Sequence, residues 1–248
     1  MPYASNDGVR IHYHVEGKGR PLVLQHGFMG SLEDWRDLGY VEALKSEYQL
    51  ILIDARGHGN SDKPRDAESY ELELRVGDIV AVMDDLKTNK AHYFGYSMGG
   101  WIGFGIGKYA PQRFHSLVIG GAHPYAQSFE AFREGLGKGL DAFVDSMEDL
   151  LGPLPAESRT RLLANDVQAL IALQQDRPDM DDTLPSMIMP CLVYGGDADP
   201  IYPDVKRGAE QLGSGTFFSL TGLNHVQAMG RSDLVLPYVK QFLQETSP

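Results

Sequence analysis

The sequence has one cysteine, few basic side chains and no long apolar run. Cys191 stands alone among 248 residues, so no disulfide can form within the chain, which suits a reducing compartment. No apolar stretch approaches the ~20 residues that span a bilayer. The first residues lack the basic-then-apolar pattern of a secretory signal. We therefore expect a cytoplasmic protein that does not bind membranes.

Positive charge is also scarce, with 22 Lys and Arg against 34 Asp and Glu and a net charge of −12. Proteins that track nucleic-acid phosphates need clustered basic side chains, so we expect no nucleic-acid partner. The same charge disfavours an anionic membrane surface and a highly anionic substrate. No H-E-x-x-H, clustered Cys/His or G-x-G-x-x-G pattern occurs, so neither a metal nor a nucleotide cofactor is expected.

Short apolar strands alternate with helical stretches along the chain. This alternation is typical of a mostly parallel sheet covered by helices on both faces, and the length fits one domain over residues 1–248. Strands are predicted at 9–15, 21–25, 49–53, 91–95, 117–120, 191–194 and 216–220. Helices are predicted at 35–44, 72–86, 99–109, 204–212 and 233–245.

Residues 124–189 break this alternation. They hold no clear strand but several amphipathic pieces, punctuated by Pro153 and Pro155. We expect a small helical cap inserted within the same domain. The alternative is that part of the segment is one more helix covering the sheet.

The run Gly95-Tyr96-Ser97-Met98-Gly99 reads G-x-S-x-G. A strand-like run precedes it and a helix-like run follows, which is the sequence context of a nucleophile elbow. Such a turn lifts the serine hydroxyl to a helix N-terminus, where free N–H groups favour developing negative charge. Ser97 is therefore the candidate nucleophile.

A serine nucleophile needs a base and an orienting acid. Asp197 and Asp199 follow one predicted strand, and His225 follows the next, in the order Ser, acid, His. Either aspartate is possible on position alone. Upstream, a strand runs into His26-Gly27-Phe28, a turn that can aim a second N–H at an oxyanion.

With these pieces in order, the chain resembles the α/β-hydrolase superfamily, in its cofactor-free serine esterase-like branch. The run from Asp54 to Ser61 also looks like the family's D-x-R-G-x-G-x-S turn. The resemblance covers nearly the whole chain. It implies an α/β fold with a mostly parallel, doubly wound, eight-stranded sheet and a small helical cap.

The resemblance also assigns roles to individual residues. Ser97 would attack, His225 would act as general base and then acid, and Asp199 would orient it. Asp199 fits the family's G-x-x-D pattern followed by proline four residues later, whereas Asp197 would shape the turn. The oxyanion hole would use the backbone N–H groups of Phe28 and Met98.

Four side chains near these groups are candidates for substrate binding: Met29, Trp101, His123 and Val226. Core packing is an equal alternative for Trp101 and Val226. His26 is expected to hold the oxyanion turn by hydrogen bonds, and Arg56 to pair with Asp54 or a nearby carboxylate.

The expected function is hydrolysis of small to medium carboxylic esters through an acyl-serine intermediate, with a small-molecule ester as the partner. A small cap favours short acyl chains. A carbon–carbon bond hydrolase, lactonase, thioesterase or perhydrolase could use the same triad, because fold does not fix substrate. A ligand-binding receptor with slow or no turnover is the alternative from another class.

Overall fold

The computed structural model describes residues 2–151 and 154–246, so Pro153 lies outside the described residues. Eight strands form one sheet in the order β1-β2-β4-β3-β5-β6-β7-β8. They are β1 (Tyr3–Asn6), β2 (Val9–Glu16), β3 (Arg20–Gln25), β4 (Tyr48–Ile53), β5 (Ala91–Tyr96), β6 (Phe114–Gly120), β7 (Cys191–Gly196) and β8 (Gly215–Leu220). The predicted α/β class and eight-stranded sheet are confirmed.

The strands from β3 to β8 run parallel, whereas β1 and β2 form an antiparallel hairpin at one edge. The carboxyl ends of parallel strands meet at one edge of the sheet, where ligands bind in open α/β folds. The loops that follow β3, β5, β7 and β8 therefore converge. β1 was not predicted because its four residues are too few to show a clear alternation of apolar and polar side chains.

Eleven α-helices occur among the described residues. They are α1 (Glu33–Asp37), α2 (Tyr40–Leu44), α3 (Leu72–Asp85), α4 (Met98–Tyr109), α5 (Glu130–Gly137), α6 (Leu140–Leu151), α7 (Ala156–Leu163), α8 (Val167–Leu173), α9 (Tyr202–Gln211), α10 (His225–Gly230) and α11 (Ser232–Glu245). The single helix predicted at 35–44 is wrong. Gly39 adopts φ +81° between α1 and α2, and this left-handed conformation ends the first helix.

Apolar side chains fill both faces of the sheet. Val23 packs with α3 and α4 on one side, whereas Leu22 and Leu24 pack with α1, α2 and α11 on the other. Successive residues of a strand point to opposite faces, so a strand buried on both sides reads as a continuous apolar run. No helix of the described residues is both long and apolar enough to span a bilayer.

Residues 124–189 contain α5, α6, α7 and α8, and an isolated pairing of Gln127 with Arg177. The segment lies against the loop after β3. The Phe132 ring on α5 lies 6.1 Å from the Phe28 ring, and the Asn165 amide donates to the Met29 carbonyl at 3.0 Å. These helices therefore lie near the edge of the sheet where the candidate site forms.

Candidate active site

Ser97 occupies a sharp turn between β5 and α4. Its backbone has φ +54° and ψ −111°, a strained conformation for a residue with a side chain. Glycines make the turn possible. A Cβ on Gly99 would lie 2.2 Å from the Gln25 carbonyl oxygen, and one on Gly95 would lie 2.3 Å from the Gly99 carbonyl oxygen. The G-x-S-x-G spacing is therefore a steric requirement of this turn.

A chain of hydrogen bonds joins Ser97, His225 and Asp199. The His225 Nε2 lies 2.9 Å from the Ser97 Oγ, and the His225 Nδ1 lies 2.6 Å from the Asp199 Oδ2. The carboxylate accepts the Nδ1 proton, which leaves Nε2 free to accept the serine proton. Asp199 is only 5% exposed, and its second oxygen accepts the Ile201 N–H at 3.1 Å.

The two aspartates of the turn after β7 have different partners. Asp199 contacts His225, whereas the exposed Asp197 accepts the Gly222 N–H at 2.6 Å. Asp197 thereby ties the turn after β7 to the turn after β8. The structure thus brings Asp199 to His225 and gives Asp197 the turn-shaping contact expected of it.

His225 is held at the start of α10 by contacts that sequence reasoning missed. The Asn224 side chain accepts the Gln227 N–H at 3.0 Å, and the Gln227 side chain accepts the Asn224 N–H at 3.1 Å. The Tyr96 hydroxyl donates to the His225 carbonyl. An N-x-x-Q spacing is a capping-box signal, so residues 224–227 could have predicted this short helix.

The backbone of the loop after β3 lies against Ser97. A Cβ on Gly27 would lie 3.4 Å from the Ser97 Cβ. Within the described residues, the N–H groups of Phe28 and Met98 donate to no protein acceptor. Two free donors beside a serine are what an oxyanion hole requires.

His26 fixes the orientation of one of these donors. Its Nε2 accepts the Ala55 N–H at 3.0 Å, so its Nδ1 carries the proton and donates to the Gly27 carbonyl at 2.7 Å. The Gly27 carbonyl and the Phe28 N–H belong to one planar peptide unit and point in opposite directions. Holding the carbonyl therefore aims the N–H.

The turn after β4 also contacts the loop after β3. His58 accepts the Met29 N–H at 3.1 Å, so that neighbouring N–H is unavailable to an oxyanion. Burial lowers the pKa of His58 well below its usual value, which keeps it neutral and able to accept. Arg56 pairs with the buried Asp78, with an N–O distance of 2.6 Å.

Comparison with known proteins identifies the family of this chain. A family model described as the alpha/beta hydrolase fold matches residues 20–190. The chain belongs to this family.

One relative by sequence is a Bacillus subtilis (strain 168) protein named "Putative 2-succinyl-6-hydroxy-2,4-cyclohexadiene-1-carboxylate synthase". This alpha/beta hydrolase is 30% identical to that protein over 176 residues. That match covers 66% of this chain and 62% of the relative, so the chain spans less than two thirds of the relative's length.

Two solved structures share the fold along almost their whole lengths. The enol-lactonase from Burkholderia xenovorans LB400 superposes with a TM-score of 0.87 at 24% identity, covering 98% of this chain and 100% of its own. A thermophilic esterase from Thermogutta terrifontis gives a TM-score of 0.85 at 23% identity, covering 100% and 99%. At these identities the likeness shows the fold.

The four candidate substrate-binding residues of this alpha/beta hydrolase differ in setting. Met29 and Trp101 are buried, and Val226 is 44% exposed. His123 is buried, its Nδ1 accepts the Tyr125 N–H at 3.2 Å, and burial lowers its pKa. A Cβ on Gly121, two residues before His123, would lie 3.2 Å from the His225 Cε1. Contact of these four candidate residues with substrate stays a prediction.

Proposed function

We propose that this chain is a serine hydrolase that cleaves small to medium carboxylic esters. The observation that carries the proposal is the hydrogen-bond chain from Ser97 through His225 to Asp199, at 2.9 and 2.6 Å. These distances lie within the reach that general-base activation of a hydroxyl requires.

The reaction would proceed in two halves. The Ser97 oxygen attacks the ester carbonyl carbon while the His225 Nε2 takes the hydroxyl proton. The carbonyl oxygen becomes an oxyanion, and the Phe28 and Met98 N–H groups would stabilise it. Collapse of this intermediate breaks the bond to the alcohol oxygen, which leaves with the proton from His225. An acyl-serine remains.

Water then repeats the sequence on the acyl-serine. His225 takes a proton from the water as it attacks the acyl carbon, and returns that proton to the Ser97 oxygen as the acid departs. Asp199 keeps the imidazole in the required tautomer and stabilises its cation in both halves. Lactones are cyclic esters, so the same atoms would open them.

The remaining parts of the proposal concern organisation and location. We propose one domain in which residues 124–189 act as a cap, because Phe132 and Asn165 contact the loop that carries the oxyanion donor. We also propose a cytoplasmic location. Burial raises the pKa of the Cys191 thiol to about 12, so this single cysteine would behave as a packed apolar side chain.

The test is replacement of the nucleophile. Ser97→Ala should lower turnover of 4-nitrophenyl butyrate by about 10⁴-fold or more, and it should abolish labelling by a fluorophosphonate probe. The matched control is Ser146→Ala, an exposed serine on α6, which should label like the wild type. Undiminished labelling of Ser97→Ala would refute the proposal. Labelling without turnover would favour a receptor built on this fold.

A further inference from the structure

Arg177 lacks the carboxylate partner that other arginines of the 124–189 segment have. Arg133, Arg159 and Arg161 each form an ion pair with an aspartate. Within the described residues, the Arg177 guanidinium forms neither an ion pair nor a hydrogen bond. It lies 4.6 Å from the centre of the Trp101 ring and 4.7 Å from that of Phe129.

The Arg177 backbone is held in place, and its guanidinium lies over two aromatic rings. The Arg177 backbone exchanges two hydrogen bonds with Gln127, at 2.9 and 3.1 Å. Burial, and then the nearby Arg75, lower the pKa of Arg177, yet a guanidinium starts far enough above neutrality to stay protonated. A half-buried charge without a counter-ion is costly unless it binds one.

The N–H of the neighbouring Trp101 indole also lacks a hydrogen-bond acceptor among the described residues. Trp101 is 6% exposed, and its Nε1 is buried. Arg75 lies over the same ring at 5.5 Å, but its side chain already donates to the carbonyls of Tyr70 and Leu173. The Arg177 guanidinium is therefore the charged donor of this cluster that no described protein acceptor occupies.

The cluster borders the candidate active site. Trp101 lies one helical turn after Ser97, and its backbone N–H donates to the Ser97 carbonyl at 2.9 Å. Ring contacts also link Arg177 to the loop that carries Phe28. The guanidinium lies over the Phe129 ring, the Phe129 ring lies 5.7 Å from the Phe132 ring, and the Phe132 ring lies 6.1 Å from the Phe28 ring.

We propose that Arg177 binds a carboxylate on the substrate, so that this site hydrolyses esters bearing a negatively charged group away from the scissile bond. The inference rests on the proposed function. A planar guanidinium can hold a carboxylate by two parallel hydrogen bonds. The net charge of −12 disfavours highly anionic substrates, but a positive local field outweighs it for a single carboxylate.

The experiment compares matched esters that differ in this group. Mono-4-nitrophenyl adipate and 4-nitrophenyl hexanoate share the leaving group and the spacing, but only the first has a terminal carboxylate. The wild type should favour the adipate in kcat/KM by about tenfold or more, and Arg177→Gln should lower that preference about tenfold to hundredfold. Arg177→Lys should keep part of it.

A second pair, 3-acetoxybenzoate and phenyl acetate, places the carboxylate on the alcohol side. If Arg177→Gln removes a preference for the charged ester in either pair, the proposal is supported. The pair concerned then shows whether the carboxylate lies on the acyl side or the alcohol side of the scissile bond. Arg159→Gln, which removes a cap arginine paired with Asp145 and Glu148, should leave the preference unchanged. Equal losses for charged and neutral esters in Arg177→Gln would overturn the proposal, as would no preference in either wild-type pair.

A binding measurement separates this inference from the proposed function. Adipate should bind the folded Ser97→Ala protein saturably in calorimetry, and adding Arg177→Gln should weaken binding about tenfold or more. Arg177-dependent binding in a protein that hydrolyses neither ester would sustain this inference and refute the proposed function. Hydrolysis of both esters without Arg177-dependent discrimination would sustain the proposed function and refute this inference.

Discussion

The carboxyl edge of the sheet and the 124–189 segment differ in how they hold their side chains. At the edge, His225 is fixed by Ser97 and Asp199, and its helix by a capping box. In the segment, Phe132 is 42% exposed and contributes ring contacts, and the Arg177 guanidinium has no polar partner among the described residues. Directed bonds thus fix the groups that would perform the chemistry, whereas ring contacts surround those that would select the substrate.

The largest effect should come from the acid at the edge. Asp199→Asn would replace the carboxylate that orients His225 with an amide, which favours the wrong tautomer, and kcat should fall by about 10⁴-fold. Asp197→Asn keeps an oxygen for the Gly222 N–H, so its kcat for 4-nitrophenyl butyrate should remain near the wild-type value. A large loss in Asp197→Asn alone would reverse the assignment of the two aspartates.

A smaller effect at the same edge should come from His26. His26→Ala would leave the Gly27 carbonyl with only the Gly30 N–H at 3.2 Å, so the Phe28 N–H would be oriented less firmly. Loss of a whole oxyanion donor costs about 10²–10³ in kcat, so we expect about a tenfold to hundredfold fall in kcat with little change in KM. His26→Gln, which can still donate and accept, should recover part of it. Equal changes in kcat and KM would indicate a merely structural role.

The smallest effect should come from the contact of the segment with the edge. Asn165→Ala would remove the hydrogen bond to the Met29 carbonyl. A hydrogen bond of this kind contributes about 0.5–1.5 kcal/mol, so KM for 4-nitrophenyl butyrate should rise about twofold to tenfold with kcat changed less. A loss of kcat as large as that of His26→Ala would show that the segment shapes the catalytic edge directly.

The same contrast explains how far the sequence could be interpreted. Ser97, Asp199 and His225 were predictable because each follows an apolar strand and sits in a short pattern with glycine at a fixed spacing. The break at Gly39 was not, because apolar residues continue at helical spacing across it. Arg177 gave no signal at all, since its neighbours Trp101 and Phe129 are distant in sequence and meet it only in the folded chain.

The strand order also bears on how the protein acquires its candidate activity during synthesis. β6, β7 and β8 lie side by side in chain order, and synthesis delivers β7 and β8 after the other six strands. The candidate nucleophile and both candidate oxyanion donors precede β7, whereas the candidate acid and base follow β7 and β8. A nascent chain ending before Cys191 would thus expose a serine that nothing activates. Reactivity would therefore require the last two strands, which are the last part of the sheet to be synthesised.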